Sequence, residues 1–340
     1  MLKKKQGLIA LVLMAIAATT IVAVALPGGS SGAPKKTYKI AFVPKLIGIP
    51  YFNAMQKGGQ QAGKALGVDF IYQGPTTADS AKQIETIDSL ITRRVDAIAV
   101  APDDPVAVKP ILARAKAAGI TTLSSDTDAA GNRSVWVNQA STKGIAHAIS
   151  DALASQMGGK GKWAIVSCGP TAQNLNSWIK IQKVYIPQKY PGMKLVTVVY
   201  AGEDQAAAVK MAKDLMTAHP DLKGLIGECT TSAPGVAQAI TEMHKIGKVF
   251  ATGLGTPTVM APYIKSGAEA KVVLWNPINL GYLTVWAAKY LLAGHKFKPG
   301  PYKVGRPVGT SRYFAKNQEL RLGPPLTFTK ANIGKYAGKF

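Results

Sequence analysis

The sequence predicts an α/β fold of two doubly wound, parallel-sheet lobes. Short apolar, β-branched runs alternate with helical patterns, the sign of βαβ units. The alternation then restarts near residue 138, so the unit occurs twice in succession. The chain also has 340 residues, of which 47% are hydrophobic, enough for one large domain or two smaller ones with filled cores.

In the first set, strands are expected over 38–44, 68–73, 95–101 and 120–125, with helices over 50–66, 79–93 and 105–118 between them. Their strands are near-continuous apolar runs such as VDAIAVA (95–101), as expected where helices cover both faces of a sheet. A short strand over 135–137 leads to the joint at Val137-Asn138-Gln139. In the second set, strands are expected over 162–167, 194–200, 222–227, 249–253 and 271–275, and a last helix over 278–292. A basic tail rich in Pro and Gly closes the chain.

The N-terminus carries Lys3, Lys4 and Lys5, then an apolar run from Gly7 to Leu26 that ends in Ala23-Val24-Ala25. A positive start, an apolar stretch and a small-x-small site make residues 1–25 a secretory signal peptide. An uncleaved anchor is the competing reading. Residues 26–37 read as a flexible tether. The formal net charge of +23 would suggest nucleic acid in a cytosolic protein, but an export signal argues against that partner. The excess is concentrated late: residues 291–340 hold ten Lys/Arg and a single acid, Glu319. This reads as a solvated basic surface, with attraction to anionic headgroups or an acidic docking face as the sharper alternative.

Ligands of open parallel sheets bind outside the C-terminal strand ends, where loops and helix N-termini converge. That rule selects Lys45, Asp104, Asp126, the Gly169–Asn176 loop, Glu228 to Thr230, Gly255-Thr256 and Trp275-Asn276. Lys45 offers three donors. Asp126, in SSDTD (124–128), can accept from two adjacent hydroxyls by charge-assisted bonds. Asp128 serves either there or as a turn cap. Tyr51, Phe52 and Trp275 provide faces for the C–H side of a sugar ring, with the hydrophobic core as the alternative for the first two. Asn174 and Asn176 both donate and accept, as hydroxyls do, Glu228 adds an acceptor from the second lobe, and Thr230 and Asn276 complete the candidate set.

Catalytic patterns are thin. The histidines at 147, 219, 244 and 295 lack metal-ligand spacing. No GxSxG or P-loop pattern occurs, and Gly253-Leu254-Gly255 lacks the third glycine of a dinucleotide fingerprint. The reading is therefore a non-enzymatic binder of a small sugar or polyol, without cofactor or metal. Cys168 and Cys229 follow strands expected to be neighbours, and form either a disulfide or two buried thiols.

Several stretches together resemble the type I periplasmic sugar-binding proteins, in the branch of the rhamnose- and autoinducer-2-binding proteins. They are KIAFVPKLIGIPYF (39–52), GPTTADSAKQIETIDSLI (74–91), NQAS (138–141), GTPTVMAPYIKSG (255–267), LWNPINLGYL (274–283) and ANIGKY (331–336). The resemblance implies two lobes joined by a three-segment hinge, delivery of a sugar to an ABC importer, a monomer, and a periplasmic or cell-surface location. It places the crossings near 138–139, 276 and 306, giving lobes of 38–138 plus 276–306 and 139–275 plus 307–340. By position, Lys45 and Asp126 match ligand contacts of the autoinducer-2 binders. Asn174 stands where those have an acid, Leu175 where they have an amide, and Glu228 and Thr230 replace residues at the other contact positions. These departures argue against autoinducer-2 itself, and the LWNP stretch (274–277) looks more like the rhamnose-type members. The resemblance therefore implies a deoxysugar, pentose or sugar alcohol, with an autoinducer-2-like signal as the alternative ligand.

Overall fold

A computed structural model describes residues 36–340. The expected signal peptide, and the expected tether as far as residue 35, lie outside the described residues. Thr37–Phe340 form one compact unit, built on two large sheets and a small two-stranded one.

The first sheet is built from β1 (Lys39–Val43), β2 (Asp69–Tyr72), β3 (Ala97–Val100), β4 (Thr121–Ser125) and β5 (Trp136–Asn138). Helices α1 (Pro50–Leu66), α2 (Ser80–Thr92) and α3 (Lys109–Ala117) connect its first four strands. Each crossover returns the chain parallel to its start, as βαβ units must. The sequence marks the helix ends chemically. Pro50 opens α1, and Gly67 closes it at φ 64°, a conformation that costs glycine little. Asp79 caps α2 by accepting from the amides of Ala81 and Lys82 at 2.9 and 3.2 Å.

After β5 the chain crosses into the second lobe: α4 (Thr142–Met157), β6 (Lys160–Ser167), α5 (Gln173–Lys189), β7 (Gly192–Tyr200), α6 (Gln205–Ala218), β8 (Leu222–Gly227), α7 (Ser232–Glu242), β9 (Phe250–Gly253), α8 (Pro257–Ser266) and β10 (Lys271–Leu274). Its sheet runs in the order β7-β6-β8-β9, all parallel. A parallel bridge from Leu254 to Val273 extends it toward β10. Asn276 then caps α9 (Pro277–Leu292), which returns to the first lobe and lies against α1.

Gly58 and Gly281 allow that contact. A Cβ on Gly58 would strike the carbonyl of Ile278, and one on Gly281 the carbonyl of Met55. The two helices therefore meet backbone to backbone, and fully buried Met55 and Leu280 fill the space beside them.

The residues after α9 differ from expectation at 307–321. They are not a tail, and the third crossing is not at Arg306. β11 (Gly300–Gly305), β12 (Gly309–Phe314) and β13 (Glu319–Arg321) all join the first sheet, whose order is β11-β12-β13-β5-β4-β3-β1-β2. Glu319 pairs with Trp136 and Arg321 with Asn138, so this segment covers what would otherwise be the open edge of β5. The chain returns to the second lobe only at 322–325, and β14 (Leu326–Thr329) then pairs with β10. Residues 307–321 belong with the first lobe's sheet because its ladder, not local composition, decides their place.

Replacing Gly58 by Val forces the α1–α9 contact apart. We expect a loss of about 1–3 kcal/mol, read as a lower urea midpoint with circular dichroism. An unchanged midpoint would show that the two backbones are not in contact there.

Candidate ligand-binding site

The C-terminal strand ends of both lobes face one cleft, and the side chains there are unusually polar for their burial. Lys45, just past β1, is 3% exposed. Asp126, immediately after β4, is also 3% exposed and takes φ 68°. A non-glycine residue rarely adopts that left-handed conformation, although Asp tolerates it better than most. Two bonds hold it: the Asp126 amide donates to the Val137 carbonyl at 3.1 Å, and Trp136 Nε1 donates to the Asp126 carbonyl at 3.1 Å. The turned backbone aims the carboxylate into the cleft.

A chain of hydrogen bonds crosses from there to the second lobe. Tyr51, in the first turn of α1, donates to Asp126 Oδ1 at 2.7 Å. Asn174, in the first turn of α5, donates to Asp126 Oδ2 at 3.2 Å and accepts from Lys45 Nζ at 3.1 Å. Trp275, after β10, donates to the Tyr51 hydroxyl at 3.0 Å. Burial pushes the Asp126 carboxyl up, against the Lys45 charge and the Tyr51 hydrogen bond, which pull it down. The Tyr51 hydroxyl is raised well above its usual value by burial and then by the neighbouring Asp126 charge.

An aromatic wall stands beside this network. The Tyr51 and Trp275 rings meet edge to face at 5.8 Å, Phe52 adjoins Tyr51 at 5.0 Å, and Trp178 lies 6.0 Å from Trp275. Ile49, Leu175, Cys229, Thr230 and Leu254 complete the lining with Glu203, around a narrow cavity of about 40 Å³.

Other expected residues are placed elsewhere. Asp104 caps its own turn, accepting from the amides of Val106 and Ala107 at 2.7 and 3.2 Å. Asp128 forms a bidentate pair with Arg133 at 2.8 and 2.9 Å. Asn176 donates to the Pro170 carbonyl at 2.7 Å. Asn276 accepts from the Asn279 amide at 3.1 Å, as the cap of α9. Glu228 is fully buried behind the cleft wall, where Gln182 Nε2 donates to both its oxygens at 2.9 and 3.0 Å. Each of these side chains satisfies a local backbone or a buried partner, which a strand-end rule does not foresee.

Glu203 and Trp178 were not anticipated. Glu203 follows β7, so the same strand-end rule reaches it. Trp178 is four residues after Asn174 and therefore shares its helix face. Cys168 and Cys229 form a disulfide between the ends of the adjacent strands β6 and β8, deciding between the two alternatives left by the sequence.

Burial raises the Glu228 carboxyl from 4.5 to about 8, against the Gln182 hydrogen bond, which lowers it. A carboxyl raised on folding binds more protons in the native state between those values. Its contribution to stability therefore falls as pH rises from 4.5 to about 8, and is flat above. Among the described residues Gln182 Oε1 has no hydrogen-bond partner, and a neutral amide at 228 needs no ionised form and has N–H groups to offer. Glu228→Gln should raise the thermal midpoint at pH 8, worth about 2 kcal/mol, and should gain little at pH 5. Equal shifts at both pH values would contradict this account.

Comparison with known proteins agrees with this architecture. Residues 40–296 match the family described as periplasmic binding protein domain. A solute-binding protein of an ABC transporter from Clostridium phytofermentas, solved with bound L-rhamnose, is 33% identical, with a TM-score of 0.85 over 90% of this chain and 99% of that one. LsrB from Clostridium saccharobutylicum, solved with AI-2, is 25% identical, with a TM-score of 0.83 over 88% and 99%. The D-allose-binding periplasmic protein of Escherichia coli (strain K12) is 25% identical over 252 residues, 71% of this chain and 80% of that protein. These relatives are binding proteins rather than enzymes. With two α/β lobes, a cleft at the strand ends and a family match over most of its length, the chain belongs to the periplasmic binding protein family.

Proposed function

We propose that the protein captures a small neutral sugar between its lobes, outside the cytoplasmic membrane, and hands it unchanged to an ABC importer. The observation that carries this reading is the buried polar chain Lys45–Asn174–Asp126–Tyr51–Trp275 lying against an aromatic wall. Carboxylate, amide and phenol together match the donor and acceptor groups of adjacent hydroxyls. The rings match the C–H face of a pyranose or furanose. Ile49, Leu175 and Leu254 in the lining favour a ring bearing a methyl group, and the similarity to the L-rhamnose-bound protein supports a deoxysugar as first choice. The positive start and apolar run at the N-terminus support export.

The mechanism follows from where the contacts originate. Lys45, Tyr51 and Asp126 stand on the first lobe, and Asn174 on the second. A hydroxyl between Asp126 and Asn174 donates to the carboxylate and accepts from the amide, so it ties the lobes together. A ligand shifts the open–closed balance only by its differential affinity for the closed form. Crossings at 138–141, 275–276 and 322–325 supply the hinge. The importer then recognises the closed surface.

Calorimetry with L-rhamnose, D-ribose, D-allose and D-arabinose should find at least one ligand with Kd of about 1 μM or tighter, recovered chemically unchanged. Silence across neutral sugars with binding of AI-2 would favour a signal receptor instead. Asp126→Asn keeps a side chain that tolerates the left-handed backbone but removes the charge. It should weaken binding roughly 10- to 100-fold. An unaltered Kd would remove Asp126 from the site.

A further inference from the structure

The exterior and the cleft carry opposite charge preferences. Residues 37–340 hold 36 Lys/Arg against 18 Asp/Glu, a net charge of +18. Such a surface draws anions toward the molecule. Inside the cleft the balance reverses. Among the described residues Lys45 is the one basic side chain in its lining, against two carboxylates, Asp126 and Glu203.

Glu203 stands in the turn between β7 and α6, on the second lobe, opposite Asp126. Its hydrogen bond among the described residues is a long one, accepted by Oε2 from the Thr231 hydroxyl at 3.4 Å. That hydroxyl is also shared with both sulfurs of the disulfide, at 3.2 and 3.1 Å. A carboxylate has about four acceptor positions, so most of those on Glu203 remain available to donors from a ligand. Lys45 acts electrostatically on Asp126 and Glu203 together, and its single positive charge cannot neutralise two carboxylates.

We propose that Glu203 is a specificity-determining residue: with Asp126 on the opposite lobe it grips the hydroxyls of a neutral polyol and turns away anionic relatives such as sugar phosphates. The inference rests on the proposed sugar-binding function and narrows its substrate class. A neutral ligand donates to one carboxylate on each lobe and so links closure to both. A phosphorylated sugar places a dianion beside two carboxylates in a site with little water, where like charges repel more strongly than in bulk. The basic exterior therefore does not announce an anionic cargo.

The test is calorimetry with L-rhamnose, D-ribose and D-allose, each paired with its phosphate monoester. The native protein should bind its best neutral sugar about 100-fold or more tighter than the matching phosphate. Glu203→Gln should weaken the neutral sugar roughly 10- to 100-fold and shrink the gap to its phosphate. Glu203→Asp, which retains the charge, should keep the discrimination even where affinity drops, and guards against a fold defect in the first variant. Native affinity for the neutral sugar in both variants would overturn the role of Glu203 and leave sugar binding standing. Equal binding of a sugar and its phosphate by the native protein would overturn it as well. Silence of the native protein toward all the neutral sugars would remove the sugar-binding reading and this one together.

Discussion

Asp126 keeps a carboxylate almost wholly out of water where the two lobes meet. Removing a charge from water is costly unless hydrogen bonds and an opposite charge replace the lost hydration. Here the replacement comes from both lobes: Tyr51 and Lys45 from one, Asn174 from the other. The surrounding features serve this requirement. The Asp126 backbone is held in the left-handed region by Val137 and Trp136, and Trp275 fixes the Tyr51 hydroxyl from the far side. In the function proposed here, a cleft whose main anion draws partners from both lobes suits a cargo that offers hydroxyls to both.

The scaffold places those partners by close backbone approach and by ladder pairing. Gly58 and Gly281 let α9 lie directly on α1, which fixes the first turn of α1 and with it Tyr51 and Phe52. Trp275 immediately precedes α9, so the same contact positions the aromatic wall. On the other edge, β11 to β13 pair onto β5. Asn138 donates to Glu319 at 2.8 Å, and Arg321 donates to the same carboxylate at 2.7 and 2.9 Å. The lone acid of the basic C-terminal stretch is thus a structural partner at the crossing, and the cations around it remain on the surface.

Much of the fold was legible because its information is local. Apolar runs bounded by turn residues locate buried strands whatever they pair with. Pro50, Gly67 and Asp79 mark helix ends by backbone conformation or by capping chemistry that three or four residues settle among themselves. The C-terminal strands were illegible for the converse reason. Alternating exposed and covered residues on an edge hairpin, interrupted by glycine and proline, resemble a loop until a neighbouring strand supplies the hydrogen bonds.

The candidate site divides along the same line. The sequence by itself determined two repeated α/β lobes, the strand ends that carry the chemistry, and the polar and aromatic types held there by Lys45, Tyr51, Phe52, Asp126, Asn174, Thr230 and Trp275. Tertiary structure alone decided which strand-end side chains turn into the cleft and which turn away. Glu228 and Cys229 are neighbours in sequence, yet one faces Gln182 in the interior and the other lines the cleft. Asp126 and Asp128 are two residues apart, yet only the first reaches across the lobes, because Arg133 holds the second. A strand end fixes where a residue sits along the sheet. The direction of its side chain is set by whichever buried donor or acceptor compensates its desolvation best, and those partners come from parts of the chain far away in sequence.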